Sequence, residues 1–175
     1  MDDLTRLAMA ARDGDRVALT AFVRRAQPDV WRLCTHLTSW RDADDLTQDV
    51  FVRAIDALRS FRGDSSARTW LLAITRNACA DHLRRTVRRR KLARRVDERE
   101  RSVDDPSGAV ALDQLLHTLD TDRRAALVLT QLLGLSYEEA AEVCGCPVGT
   151  IRSRVSRARA DLVAAIAPAA EEAGG

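Results

Sequence analysis

Leu135-Ser136-Tyr137-Glu138-Glu139-Ala140-Ala141-Glu142-Val143-Cys144-Gly145-Cys146-Pro147-Val148-Gly149-Thr150-Ile151-Arg152-Ser153-Arg154-Val155-Ser156-Arg157-Ala158-Arg159-Ala160-Asp161-Leu162 reads as two helices joined by a tight turn. Ser136 followed by Glu139 is a capping box, so a helix starts at Tyr137. Ala140, Ala141 and Val143 form its apolar side, and small alanines let a second helix cross closely. Gly145 can take the left-handed conformation that ends it. Pro147 suits the first turn of the next helix. There Val148, Ile151, Val155, Ala158 and Leu162 recur every three or four residues and seat the helix on its domain. The opposite face is arginine, serine and threonine: Thr150, Arg152, Ser153, Ser156 and Arg157 among them. Such a face suits a helix in the DNA major groove, where Arg forks onto guanine or phosphate and Ser and Thr reach either. Taken alone, it also fits an amphipathic helix whose arginines only keep it soluble.

The rest of the chain is helical in the same way. Aromatics are 4 % and glycine and proline few, so the core must be built from Leu, Val, Ile and Ala, and an all-α fold follows. Asp15 can cap a helix reaching Ala26, with Val17, Ala18, Ala21 and Phe22 as its apolar set. Pro28 then suits the first turn of a new helix carrying Val30, Cys34 and Leu37 on one face. Arg41-Asp42-Ala43-Asp44-Asp45 opens a third helix with an acidic first turn, favourable for the helix dipole. Its stripes are Leu46, Val50, Ala54 and Ala57, with Phe51, Ile55 and Leu58 beside them. Phe61-Arg62-Gly63-Asp64-Ser65-Ser66 is a turn, after which Ser65 or Ser66 caps a long helix with Trp70, Leu71, Ile74, Ala78 and Leu83 inward. The pattern fails between about Ala93 and Gly108. It resumes with Leu112, Leu115, Leu116 and Leu119, and then from Thr121 or Asp122 with Leu127, Leu129, Leu132 and Leu133, closed by Gly134. The expected organisation is therefore two small helical domains joined by a flexible linker: 1–92, linker 93–109, 110–168, and a frayed tail 169–175.

Charge is unevenly spread. Residues 1–75 are balanced, residues 76–101 carry +7, and residues 102–135 carry −3, within a chain of +2. A local excess of this size points to a polyanion-facing surface. The opening MDDLTRLAMAARDGD lacks the basic and apolar parts of a signal peptide, and no apolar run is long enough to span a bilayer, so a cytoplasmic protein with reduced cysteines is expected. Cys144-Gly145-Cys146 has one intervening residue rather than the two to four of zinc sites, and the four cysteines read as core or turn residues. No cofactor, no metal, no small-molecule substrate and no catalytic constellation is expected, so the chain is not read as an enzyme.

Three stretches resemble one family, the extracytoplasmic-function (ECF) sigma factors. Leu133 to Ala141 with Pro147 to Arg159 resembles sigma region 4, whose core G-T-V-[KR]-S-R-x-x-R-A-R is met except for Ile151. Ala43-Asp44-Asp45-Leu46-Thr47-Gln48-Asp49-Val50-Phe51-Val52-Arg53-Ala54 resembles the region 2 signature D-A-E-D-L-x-Q-E-x-F-x-[KR]. Phe61 to Asn77 resembles F-R-G-x-S-x-x-x-T-W-L-x-x-I-x-x-N.

The resemblance implies a subunit that binds core RNA polymerase and directs promoter-specific initiation. Asp44, Asp45, Gln48, Asp49 and Arg53 would dock on the clamp helices of the largest subunit, and region 4 on the flap. Arg62, Ser65, Arg76, Asn77, Asp81, Arg84, Arg85 and Arg88 would face the −10 element and help melt it. Thr150, Arg152, Ser153, Ser156 and Arg157 would read the −35 element, with Ser156 leaving the base preference open. An anti-sigma factor is an expected partner, and an obligate homo-oligomer is not expected. A stand-alone helix-turn-helix regulator is the alternative, and the region 2 matches speak against it.

Overall fold

The computed structural model describes residues 1–93 and 108–166. The expected linker lies outside them except at its two ends, and the expected tail 169–175 lies wholly outside. Among the described residues all regular structure is helical. The order is α1 Asp3–Arg12, α2 Arg16–Leu37, α3 Trp40–Leu58, α4 Ala67–Ala93, α5 Gly108–Thr118, α6 Thr121–Leu127, a π turn Val128–Leu132, α7 Tyr137–Cys144 and α8 Val148–Ile166.

Caps set most boundaries. Asp15 accepts from Val17 and Ala18 at the start of α2. Ser39 caps α3, which starts at Trp40, one residue ahead of the expected Arg41. Of Ser65 and Ser66 it is Ser66 that caps α4: its hydroxyl takes the Thr69 N–H at 3.1 Å. Asp120 caps α6. One helix was not foreseen: α1, capped by Asp2, whose short apolar set was not read as periodic.

Pro28 does not begin a helix. It sits inside the 22-residue α2. A proline inside a helix costs about 3 kcal/mol. Phe22, Val30, Leu33 and Leu37, on both sides of it, are fully buried on one continuous face, and each such side chain contributes roughly 1.5–3 kcal/mol. Burial wins, and the helix runs through. Val17, in the first turn, points to solvent at 80 % exposure.

The N-terminal unit packs α2 against α1, α3 and α4. Its centre is Phe22, Leu33, Val50, Leu71 and Leu72, with Cys34 and Cys79 sulfurs 3.8 Å apart between α2 and α4. In the C-terminal unit α6 and α7 both pack on α8, around Val128, Leu129, Ile151 and Val155. The π turn bonds Leu133 N–H to Val128 O at 3.0 Å, five residues back. With that extra residue Leu132 is turned outward, contrary to the sequence reading, and Leu133 inward. Gly134 then ends the segment at φ +69°.

The two units are in contact. α7 lies on α4, while α5 and α6 meet α2. Arg68 bonds Asp29 at 2.7 Å and the Leu133 carbonyl at 2.7 Å. Arg124 is almost wholly buried and reaches the carbonyls of Leu37, His117 and Leu119 at 3.3, 3.1 and 3.0 Å. These oxygens end α2 and α5, so a cation there meets the negative poles of two helices.

Candidate nucleic-acid interface

The helix-turn-helix is built as its sequence requires. Ser136 N–H donates to Glu139 Oε2 at 2.8 Å and Glu139 N–H to Ser136 Oγ at 3.1 Å, closing the capping box. Gly145 holds φ 62°, ψ 41°, and Cys146 N–H returns to Ala141 O at 3.1 Å. Pro147, the residue before α8, supplies the carbonyl that takes the first helical bonds, from Thr150 and Ile151. Ile151, Val155 and Ala158 are buried beneath α8.

The four arginines of α8 divide into two pairs. Arg154 is half-buried and bonds Asp122 of α6 at 2.5 Å. Arg159 bonds Gln131 at 2.7 Å. Both serve the scaffold. Arg152 and Arg157 are exposed, as are Ser153 and Ser156, with Thr150 half-buried beside them. Neither Arg152 nor Arg157 has an ion-pair partner among the described residues. A guanidinium with no partner costs least to transfer onto a base edge or phosphate.

The second surface is α4 and the loop before it. Arg62 and Asp64 are exposed and paired at 3.1 Å, Ser65 is half-buried, and Gly63 bends the loop at φ +78°. Asn77 is exposed rather than satisfied inside its helix. Arg84, Arg85 and Arg88 continue with Arg89, Arg90 and Lys91 as an exposed cationic run. Two expected members are engaged elsewhere. Arg76 is half-buried and bonds Asp122 at 3.1 Å. Asp81 is held between Arg84 and, at 3.3 Å, Arg53, and these two arginines keep its carboxyl below the usual carboxylate range.

The third surface is α3. Asp44, Asp45, Gln48 and Asp49 are exposed along it. Asp44 accepts the Trp31 indole N–H at 2.8 Å. Arg53 bridges Asp49 at 3.4 Å to Asp81, so it joins α3 to α4. The sequence reading missed Val52 and counted Ile55 as an inward stripe. Both are exposed, at 61 % and 42 %, on the same helix as the acidic residues. An apolar side chain on the polar side of an amphipathic helix was the available signal.

Each histidine faces an aspartate: His36 Asp113 at 3.4 Å, His82 Asp42 at 3.3 Å, His117 Asp113 at 3.6 Å. Cys144 is buried and Cys146 half-buried, with Arg154 Nη1 3.6 Å from the Cys146 sulfur. Among the described residues no group of three or more His, Cys, Asp or Glu could hold a metal, and no helix is long and apolar enough to cross a membrane.

Residues 22–90 match the family model for Sigma-70 region 2, and residues 109–162 that for Sigma-70, region 4. The chain is 50 % identical over 171 residues to the ECF RNA polymerase sigma factor SigC of Mycobacterium tuberculosis, covering 94 % of this chain and 92 % of that protein. It is 36 % identical over 176 residues to the ECF RNA polymerase sigma-E factor of Haemophilus influenzae, covering 90 % and 93 %. Among solved structures it resembles CnrH in complex with the cytosolic domain of CnrY, with TM-score 0.74, 32 % identity and coverage of 95 % and 99 %. It also resembles RpoE in complex with the anti-sigma factor NepR from Bartonella quintana, with TM-score 0.71, 31 % identity and coverage of 82 % and 92 %.

Proposed function

The chain belongs to the ECF RNA polymerase sigma factors of the sigma-70 family, and from that premise we propose how its residues divide the work. A sigma factor directs transcription initiation, so its partners are core RNA polymerase and promoter DNA. RNA synthesis itself is the polymerase's chemistry. The protein works where polymerase does, in the cytoplasm.

Arg152, Ser153, Ser156 and Arg157, with Thr150, read duplex DNA at the −35 element. The division of the α8 arginines carries this assignment: two are tied to the scaffold and two stand on the outer face without an ion-pair partner among the described residues. Arg62, Ser65 and Asn77 take the opened −10 element, and Arg84, Arg85 and Arg88 follow its single strand. Unstacking a base costs a few kcal/mol that such contacts must offset. Arg76 and Asp81 belong to the same surface, Arg76 only once Asp122 has released it. Asp44, Asp45, Gln48, Asp49 and Arg53 dock on the clamp helices of the polymerase, and the C-terminal unit on the flap.

An anti-sigma factor is a further partner. The structural relative in complex with the anti-sigma factor NepR supports it. A stand-alone regulator would have no use for a region 2 fold spanning residues 22–90.

The test is in vitro transcription with purified core polymerase on genomic promoters. Start-site-specific RNA that depends on this chain is expected, and Arg152→Ala with Arg157→Ala should abolish it on promoters that need a −35 element. No specific start from any promoter would overturn the assignment.

A further inference from the structure

The loop that presents Arg62 and Ser65 has little of its own to hold it. Residues 62–64 are exposed, and the Arg62–Asp64 pair is about four-fifths exposed on both sides, where an ion pair contributes little. The loop is instead gripped from outside, by α1. At its far end the Ala67 N–H, the first of α4, donates to Thr5 Oγ1 at 2.8 Å in a buried bond. Thr5 is 4 % exposed, and its hydroxyl donates in turn to Asp2, the α1 cap. At its near end the Phe61 carbonyl accepts from Arg12 Nη1 at 3.2 Å. Between the two, Met9 lies under the bend: a Cβ placed on Gly63 would stand 3.4 Å from its sulfur. Phe61 is buried beside Trp70, ring centroids 4.9 Å apart, which anchors the base of the loop to α4. Thr5, Met9 and Arg12 fall about one helical turn apart and so line one side of α1. All three precede residue 22, where the region 2 match begins.

We propose that α1 is a splint for the 61–67 loop: Thr5, Met9 and Arg12 are positioning residues that fix its backbone and so set how fast promoter DNA is opened, without touching DNA. The inference rests on the reading that this loop takes the −10 element. Its physical basis is preorganisation. A loop ordered before the strand arrives does not spend binding energy on its own ordering. Thr5 and Arg12 satisfy the backbone groups at the two ends of the loop, so its exposed span hangs between fixed points. Met9 supports the one residue whose positive φ makes the bend.

The experiment uses the full chain reconstituted with core polymerase on a promoter from which the wild-type chain initiates, and follows permanganate reactivity of unpaired thymines over time. Thr5→Val, which keeps shape and removes the acceptor, and Arg12→Ala should each slow opening roughly tenfold, the worth of one well-formed hydrogen bond. Polymerase affinity and binding to a −35 duplex should not change. Arg62→Ala with Ser65→Ala should slow opening as well, and adding Thr5→Val or Arg12→Ala to that pair should cost nothing further, since a splint acts only through what it holds. Additive losses would overturn the proposal, as would slowed opening accompanied by an equal loss of polymerase affinity, or normal opening in both α1 variants. If the Arg62/Ser65 pair opens DNA normally while the α1 variants do not, the reading of the loop fails and the splint fails with it. If the pair is slow and the α1 variants are normal, only the splint fails. Arg12→Ala guards against a folding defect in Thr5→Val, because Arg12 lies at the surface of the core and Thr5 inside it.

Discussion

Arg76 of α4 and Arg154 of α8 share one carboxylate: Asp122 takes Arg76 on one oxygen at 3.1 Å and Arg154 on the other at 2.5 Å. One acidic side chain thus links a −10 candidate to the helix proposed to read the −35 element. Arg76 cannot reach DNA while this contact stands. Asp122→Ala is expected to free both guanidiniums and to weaken the contact between the units by about 1 kcal/mol, roughly fivefold, since the aspartate is half exposed and partly screened. Affinity for a single-stranded −10 oligonucleotide should rise, with a steeper dependence on salt. Fluorescence anisotropy across a salt series, with small-angle scattering for the separation of the units, checks both. Unchanged affinity would mean that Arg76 plays no part in DNA binding.

The two arginine pairs of α8 should behave oppositely. Arg152→Ala and Arg157→Ala should each lower affinity for the −35 duplex by about 1–3 kcal/mol if the side chain forks onto a base, and by less, uniformly across sequences, if it meets only phosphate. Thermal stability should hold. Arg154→Ala and Arg159→Ala should instead lower the melting temperature, because they remove the ties to Asp122 and Gln131. Anisotropy and thermal melts on the four single variants separate the classes. The same melting loss in all four would undo the division.

Much of this was legible in the sequence because the determinants are local. The capping box at Ser136 and Glu139 and the left-handed Gly145 are encoded within a few residues, and each is found where the spacing puts it. The exposed face of α8 follows from the 3.6-residue period. What was not legible is long-range. Nothing near Arg76 in the sequence announces Asp122, 46 residues on. Pro28 reads as a helix start, and only the core shared by both halves of α2 overrules it. Arg154 and Arg157 are the same residue type on one helix, and only the neighbouring α6 decides that one is structural. Nothing near Thr5 or Arg12 in the sequence announces the Ala67 N–H and the Phe61 carbonyl that they hold.

Arg124, which ties the C-terminal unit to α2 through the Leu37 carbonyl, has a pH-dependent neighbour in His117. Arg124 Nη1 lies 2.8 Å from His117 Nδ1, while its other bonds go to three helix-end carbonyls. Burial, followed by the Arg124 charge, pushes the His117 pKa down. Asp113 opposes them and His36 adds to them. A neutral His117 can accept from Arg124, and a protonated one repels it. Stability from this group is therefore present above the ordinary histidine pKa, about 6.5, and is lost as pH falls below it. The melting temperature should drop below that pH, and His117→Asn should flatten the drop. Arg124→Met should cost about 2 kcal/mol above that pH by leaving buried carbonyls without donors, and less below it, where it also removes the charge that repels a protonated His117. A melt series against pH on the three proteins tests this, and an acid slope that survives His117→Asn would refute it.

The four cysteines should react in a fixed order. Cys34 and Cys79 are at most 1 % exposed. Cys144 is buried, and burial raises its pKa from an ordinary 9.0 to about 11, the nearby Arg76 opposing. Cys146 is the half-exposed one. A reagent must reach the sulfur, so Cys146 should take an aromatic disulfide reagent first, and the other three only as the fold opens. The Cys144 shift has a second consequence. A thiol whose pKa is raised on folding favours the native state below the unfolded value and loses that contribution as pH climbs through the folded one. Stability should therefore fall between about pH 9 and pH 11, and Cys144→Ala should remove that part of the fall. Thiol counts on native and unfolded protein, with alkaline melts of both forms, decide the matter. Rapid reaction of Cys34 or Cys79 in the native state would show that the helices around them open far more readily than their packing implies.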